Sequence, residues 1–151
     1  MFAVTTNYIG KGIYSVPEVA RLTGVSASKV RRWITGYTDA GKDVRHSPVV
    51  ASDYAPVAKK TSLSFLDLVE VRFVDSFRRH SVSWRSIKIA SQRAAGLLET
   101  NHPFAKRRFF TDGREILTRV AEESGEPELL NLVRDQYELN DIVSPLLTGE
   151  L

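Results

Sequence analysis

The chain has 151 residues, of which 42% are hydrophobic and 26% are charged, a balance typical of a folded domain and not of a disordered chain. It contains no cysteine, which excludes a disulfide scaffold and a thiolate metal site. No apolar run approaches the roughly 20 residues that span a bilayer, and no signal-peptide pattern opens the sequence. We therefore expect a cytoplasmic protein of one domain, or of one small module with an appendage.

The positive charges are concentrated in the first 110 residues. This part holds 18 Lys or Arg against 8 Asp or Glu, whereas residues 111–151 hold 3 against 10, which leaves the net charge of +3. An excess of cations in one part of a chain indicates a surface that meets a polyanion. A chance distribution over a solvated surface is the alternative.

The first helix signal is the stretch Ser15-Val16-Pro17-Glu18. A serine followed three residues later by a glutamate predicts a capping box, and proline is favoured in the first turn of a helix. The predicted helix is short and ends at Gly24. Its buried side is predicted to consist of Val16, Val19, Ala20 and Leu22.

A second short helix begins after a tight turn, with Ser26 as its N-terminal cap. Its inner face is Val30 with Ile34 or Trp33. Two such helices make a helix-turn-helix, whose second helix enters the major groove of DNA. An arginine binds guanine O6 and N7 or a phosphate, and Trp33 either meets the sugar–phosphate backbone or anchors the core. The predicted DNA contacts of this helix are Ser26, Ser28, Lys29, Arg31, Arg32 and Trp33.

Residues 36–63 carry few helix signals and contain two glycines and two prolines. This composition suits a β-wing, in which short strands joined by a polar loop lie along the DNA backbone. For any single lysine in this stretch, a solvated loop is the alternative. The cations predicted to contact DNA here are Lys42, Arg45, Lys59 and Lys60.

From Ser64 the sequence has a strong helical pattern. "SFLDLVEVRFVDSFRRH" predicts one helix, capped by Ser64 with Asp67, and "SVSWRSIKIASQRAAGLL" predicts a second helix after a brief break. We interpret the two helices as scaffold. The side chains predicted to point inward are Phe65, Leu68, Val69, Phe73 and Phe77 in the first helix and Trp84, Ile87, Ala94 and Leu98 in the second.

The last third of the chain carries a turn signal and two apolar patterns. Asp112-Gly113 between two β-prone runs in "RRFFTDGREIL" predicts a β-hairpin. "PELLNLVRDQY" predicts an acidic amphipathic helix, and the apolar residues of "DIVSPLL" are expected to pack onto the protein's own core or a partner. We expect a homodimer, which would bring two helix-turn-helix units onto a palindromic site. The predicted interface residues are Phe110, Leu129, Leu132, Val133, Ile142 and Leu146.

No pattern of an enzyme stands out. His46, His80 and His102 are widely separated and lack the tight ligand spacing of a zinc site. We find no Ser-His-Asp order, glycine-rich phosphate loop or paired carboxylate motif. The sequence therefore predicts no catalytic residue, no metal site and no cofactor.

These motifs together resemble a known family. "YSVPEVARLTGVSASKVRRW", followed by a wing and by "FLDLVEVRFVDSFRRHSVSWRSIKIA", is similar to the MerR-type winged-helix family. The resemblance implies that Arg31 contacts DNA. In the family two aromatic residues follow this arginine, whereas this chain has Arg32 and Trp33 at the two positions. Arg32 therefore replaces a phosphate-contacting ring by a cation.

A subgroup of that family is more similar. "GIYSVPEVARL", "SLSFLDLVEVRFV" and "HPFAKRRFFTDGREI" resemble the VapB-like antitoxins that carry a MerR-type DNA-binding domain. The resemblance runs over nearly the whole chain and implies an antitoxin that represses its own operon as a dimer and pairs with a PIN-domain ribonuclease toxin. Similar proteins continue beyond "SPLLTGEL", so we expect a natural short form or a truncated one that lacks the toxin-neutralising segment.

The sequence thus predicts a mainly α (α+β) protein in three parts. A MerR-like helix-turn-helix with a β-wing occupies residues 1–63, a helical pair in 64–98 completes the DNA-binding domain, and a hairpin with an acidic helical part occupies 99–151. The predicted function is sequence-specific binding of double-stranded operator DNA by an antitoxin-type autorepressor. No membrane is expected among its partners. Two alternatives stay open: a MerR-like regulator that responds to a small molecule, and a basic module that binds RNA or an acidic protein.

Overall fold

The structure, a computed structural model, describes residues 12–56 and 58–135, and of Phe110 it describes the backbone alone. The chain divides into two compact units, Met1–Leu68 and Val69–Leu151. Most described residues are helical, with small antiparallel sheets, which confirms the predicted fold class. The elements in chain order are β1 (Tyr14–Ser15), α1 (Val16–Thr23), α2 (Ala27–Thr35), β2 (Tyr37–Asp39), β3 (Val44–His46), β4 (Ser62–Leu63), α3 (Phe65–Arg79), α4 (Trp84–Leu98), a 3-10 helix (Pro103–Ala105), α5 (Arg107–Ser124) and α6 (Pro127–Arg134).

The helix-turn-helix of the first unit is defined by its caps. The Glu18 N–H donates to Ser15 Oγ at 3.2 Å, and the Ser15 N–H donates to Glu18 Oε1 at 3.1 Å. Gly24 ends α1 in the left-handed conformation, with φ at 77°. Ser26 Oγ accepts from the Lys29 N–H at 3.3 Å and starts α2. The predicted capping box, the end of α1 at Gly24 and the cap at Ser26 are all confirmed.

The hairpin of the first unit follows α2 directly. β2 and β3 pair antiparallel, with Tyr37 opposite His46 and Asp39 opposite Val44. The predicted wing covered residues 36–63, but the paired strands of this hairpin span only residues 37–46, and the chain then runs through a loop to β4. β4 pairs with β1, where Tyr14 lies opposite Leu63.

The buried residues of the first unit agree with the predicted inner faces at most positions. Val16 and Val19 of α1 are buried, as are Val30, Trp33 and Ile34 of α2. Two predictions were wrong, because Leu22 is 49% exposed and Phe65 is 45% exposed. Leu22 is at the edge of the apolar stripe of α1, where a change of a few tens of degrees around the helix axis separates core from solvent, and Phe65 is the first residue of α3.

The second unit is built around four phenylalanines. Phe73, Phe77, Phe104 and Phe109 have no exposed surface, and their ring centroids lie 5.1 to 6.5 Å apart in the pairs that touch. The side chains come from α3, from the 3-10 helix and from α5. Such edge-to-face and offset contacts are the favoured geometry of aromatic rings.

The predicted hairpin at Asp112-Gly113 is wrong, because residues 107–124 form α5. The buried residues Phe109, Gly113, Ile116 and Val120 recur at helical spacing. Gly113 leaves room for the Phe109 ring, whose nearest atom would lie 3.2 Å from a β-carbon at that position. Burial of this helical face therefore outweighs the local turn preference of Asp-Gly. Among residues 12–56 and 58–135, no helix is long and apolar enough to cross a membrane.

Candidate nucleic-acid interface

Helix α2 has one buried side and one cationic side. Its exposed side carries three cations, and the described part of the chain offers none of them an ion pair within 4.0 Å. The first turn of α2 contains no acidic residue either. The positive charge of this side is thus available to an anionic ligand. The exposed residues on it are Ser28, Lys29, Arg31 and Arg32.

Trp33 anchors the core and does not face a ligand. It is 6% exposed, and its main-chain carbonyl accepts from the N–H groups of Val49 and Val50 at 2.9 and 3.1 Å. Its burial leaves the side chain little surface with which to meet a sugar–phosphate backbone. The predicted DNA contact at Trp33 is therefore corrected to a structural role, in which the carbonyl fixes the loop that follows the hairpin.

The β2–β3 hairpin is joined to the end of α2 by a side-chain hydrogen bond. Arg45 Nη2 donates to the main-chain oxygen of Thr35 at 2.8 Å. The cation thereby satisfies a carbonyl that the helix end leaves open, and it also complements the negative end of the helix dipole. Arg45 has four further N–H groups, so this bond does not exhaust its donors.

The tip of the hairpin carries the predicted contact Lys42. Residues 40–43 form the loop, in which the Asp39 carbonyl accepts from the N–H groups of Lys42 and Asp43 at 3.2 and 3.0 Å. Asp43 takes a positive φ of 50°, which returns the chain into β3. Lys42 is exposed at this tip. The hairpin thus holds two of the predicted cations, Lys42 and Arg45, on one element attached to α2.

Three side chains of α2 and the hairpin are stacked. The guanidinium carbon of Arg32 lies 5.1 Å from the centre of the Tyr37 ring, which is within the range of a cation–π contact. The Tyr37 ring in turn stacks on His46, with centroids 4.5 Å apart and planes inclined by 17°. We call these residues the Arg32 stack. Sequence reasoning missed Tyr37 and His46, whose pairing has one local sign in the chain, the glycine at position 41 in the loop between them.

The remaining predicted DNA contacts lie elsewhere in the first unit. Lys59 and Lys60 are exposed just before β4, Lys59 in a turn where Ala58 and Lys59 take positive φ angles of 51° and 63°. Ser26 uses its hydroxyl oxygen in the cap of α2. The structure therefore groups the predicted contacts of α2 with those of the hairpin, while the contacts at residues 59 and 60 stay a separate prediction.

The predicted dimer contacts of α6 have a different role. Leu129 and Leu132 are 0% and 1% exposed within the single chain, so they belong to its core and offer no surface to a second copy. Val133 is half-buried. The Phe110 side chain, Ile142 and Leu146 lie outside the described residues.

A protein-family model matches more than half of the chain. The model of a family described as "Putative DNA-binding HTH domain" matches residues 12–91. The match includes both helices of the helix-turn-helix, the hairpin and α3.

Similar proteins come from Mycobacterium tuberculosis. The "Uncharacterized protein Rv2308" is 31% identical over 129 residues, which cover 82% of this chain and 50% of that protein. The "Putative antitoxin VapB45" is 26% identical over 117 residues, which cover 76% of this chain and 48% of that protein. The crystal structure of Rv2018 matches with a TM-score of 0.59 and 25% identity over 80% of this chain and 51% of that one. The chain thus spans about half the length of the curated relatives that it matches.

Proposed function

The chain belongs to the family described as "Putative DNA-binding HTH domain", and from this premise we propose that it is a sequence-specific DNA-binding protein. In the proposal, α2 is the recognition helix that enters the major groove, and the β2–β3 hairpin is a wing that lies along the adjacent backbone, as in the MerR-type arrangement. Double-stranded DNA is then the ligand of the cationic side of the first unit.

One observation carries this proposal. The exposed cations of α2 and the hairpin that holds Lys42 are joined by the bond from Arg45 to Thr35, so that neighbouring parts of one surface present both. The first turns of a recognition helix approach the base edges, and Arg31 has the fork of donors that fits guanine O6 and N7. Lys29, with its compact ammonium group, suits a phosphate. The positive field of the surface would speed the encounter with DNA.

We further propose that the protein is an antitoxin-type autorepressor that binds the operator of its own operon. The motifs quoted above for VapB-like antitoxins and the relative named "Putative antitoxin VapB45" support this assignment. A homodimer would place two recognition helices on the two halves of a palindromic operator. A PIN-domain ribonuclease toxin is the proposed partner.

A binding titration with the full chain tests the proposal. Fluorescence anisotropy would measure affinity for the duplex upstream of the protein's own gene and for a scrambled duplex, each at several salt concentrations. We expect tighter binding to the native duplex and a logarithmic salt dependence that reports several neutralised phosphates. Sedimentation of the complex would give its stoichiometry. Equal and weak binding to the two duplexes would contradict the proposal and favour a basic surface that binds RNA or an acidic protein.

A further inference from the structure

The Arg32 stack has the properties of a prepared anion site. Arg32 lies in the last turn of α2, its guanidinium faces the Tyr37 ring, and this ring stacks on His46 across the hairpin. Arg32 is exposed, while Tyr37 is 39% exposed and His46 half-buried. The stack thus runs from a half-buried ring, through an exposed one, to an exposed guanidinium.

We propose that this stack is a preorganised binding site for one phosphate of the DNA backbone. In it Arg32 binds the phosphate, and Tyr37 and His46 are positioning residues. This inference deepens the DNA-binding function proposed above and rests on it.

The geometry of a guanidinium explains why stacking prepares Arg32 for an anion. The five N–H donors of a guanidinium lie in its plane and point outward from its edge. The contact of the Arg32 guanidinium with the Tyr37 ring restricts the rotation of a long side chain and supplies no oxygen acceptor that would occupy these donors. Two in-plane N–H groups remain free to bind two phosphate oxygens side by side.

The position of Arg32 favours a backbone phosphate over a base edge. The residues of a recognition helix that contact bases lie in its N-terminal turns, whereas Arg32 is in the last turn of α2. Its contact with Tyr37 also directs the side chain toward the start of β2. Contacts to phosphates fix the orientation of a protein on DNA without selecting sequence. Arg32 would thus set the register in which Arg31 meets the bases.

The Tyr37–His46 pair links this site to the hairpin. The two residues are opposite each other in the register of β2 and β3, so the stack is part of the sheet and not a chance surface contact. Only Gly36 separates the end of α2 from the start of β2. A phosphate bound by Arg32 would therefore hold the recognition helix and the wing at a fixed spacing on the duplex.

The test is a double-mutant cycle in the full chain, measured by anisotropy against the native and the scrambled duplex over a salt series. Arg32→Ala should weaken binding to both duplexes and lower the logarithmic salt slope by about 0.9, the value for one phosphate. Tyr37→Leu should weaken binding about two- to fivefold, the range of an exposed cation–π contact. Tyr37→Phe, which keeps the ring, should restore the affinity.

The coupling between the two positions separates positioning from a general structural role. In the Arg32→Ala background, Tyr37→Leu should have no further effect on affinity, because the ring acts through the arginine. Arg79→Ala is the matched control: Arg79 is also an exposed arginine in the last turn of a helix, but it is paired with Asp75 at 2.9 Å. This control should leave the salt slope unchanged. Thermal unfolding by circular dichroism would show that each variant is folded.

Three results would overturn the inference while leaving the proposed function intact. The first is an Arg32→Ala variant that keeps the full salt slope while the wild type still prefers the native duplex. The second is a loss of affinity in Arg32→Ala for the native duplex alone, which would indicate that Arg32 contacts a base. The third is an equal loss of DNA affinity from Tyr37→Leu in the wild-type chain and in the Arg32→Ala background. A wild type that binds neither duplex would instead remove the proposed function together with the site.

Discussion

Gly36 lies directly against the main-chain carbonyl oxygen of His46, so closely that no β-carbon fits between them. Gly36 has a φ of 73° and a ψ of 179°, a backbone conformation that is essentially restricted to glycine. The chain therefore passes from α2 into β2 through a residue that cannot carry a side chain. This close approach lets β3 run beside the end of the recognition helix, where Arg45 bonds to Thr35.

Gly36→Ala should destabilise the first unit by about 1–3 kcal/mol from the backbone conformation alone, with the collision against His46 adding to this cost. Urea denaturation followed by Trp33 fluorescence in a Trp84→Phe background would measure the change, because Trp33 is then the sole tryptophan of the chain. Gly41→Ala is the control, since a β-carbon there meets nothing within 4 Å. Equal stability of the two variants would contradict the steric argument.

Arg31→Ala should weaken binding to the native duplex by about 1–3 kcal/mol and relax the preference at one base pair. The physical reason is the loss of a bidentate pair to a base edge. Competition titrations against duplexes with single base-pair changes would locate the affected position. Lys29→Ala provides the contrast, because loss of a phosphate contact weakens binding to all duplexes alike and lowers the salt slope by about 0.9. A uniform loss from Arg31→Ala would reassign Arg31 to the backbone.

Local signals in the sequence were sufficient to predict the helix-turn-helix. Ser15 with Glu18, Gly24 and Ser26 act through hydrogen bonds to the nearest turn of backbone, so their roles depend on neighbours within four residues. The exposed cations of α2 follow from the same helix. The agreement therefore reflects interactions whose partners are adjacent in the chain.

Features that depend on distant residues were missed or mispredicted. The sequence "TDG" favours a turn by itself, yet Phe109 and Gly113 lie in a helix because the Phe109 ring packs against Phe73 and Phe104. The Arg32 stack likewise depends on the hairpin register, which places His46 beside Tyr37. Packing between residues far apart in sequence leaves no local pattern, and the glycine between Tyr37 and His46 indicates a turn without fixing which residues pair across it.

Ser15→Ala should raise the pKa of Glu18 toward its usual value. The Ser15 backbone N–H and the Ser15 hydroxyl both hold this pKa below that value. The variant loses the hydrogen bond of the hydroxyl and keeps that of the backbone N–H. The pKa of Glu18 should therefore rise only part of the way to its usual value. A carbon-13 NMR titration of the Glu18 carboxyl would measure it. An unchanged pKa would show that the hydroxyl does not contribute.

The lowered pKa of Glu18 also sets the pH dependence of the α1 cap. Because the folded-state value lies below the unfolded one, the stabilisation is complete above about pH 4.3, the ordinary glutamate value, and is lost as the pH falls through the folded value. The protection factors of the amides in the first turn of α1, which correct for the intrinsic pH dependence of exchange, should therefore fall only in that acidic range. In Glu18→Gln this pH dependence should vanish.

Gly113→Ala and Gly96→Ala should change the stability of the second unit in opposite directions. Both glycines lie within helices, where alanine is favoured by about 0.5–1 kcal/mol. A β-carbon at Gly96 meets nothing within 4 Å, so Gly96→Ala should stabilise. A β-carbon at Gly113 would lie 3.2 Å from the Phe109 ring, which is fully buried against Phe73 and Phe104, so we expect the ring to resist the shift of a few tenths of an ångström that the methyl group requires. Overpacking of about 1–3 kcal/mol should then exceed the helical gain.

Urea denaturation followed by circular dichroism would measure both glycine variants, and a third variant identifies the cause. In a Phe109→Leu background the ring is absent, so Gly113→Ala should lose most of its cost and show a coupling with position 109. Phe109→Leu alone should destabilise, because it removes ring contacts from a fully buried site. If Gly113→Ala stabilises the wild type as much as Gly96→Ala does, the Phe109 ring is free to move and the aromatic cluster is looser than its contacts indicate.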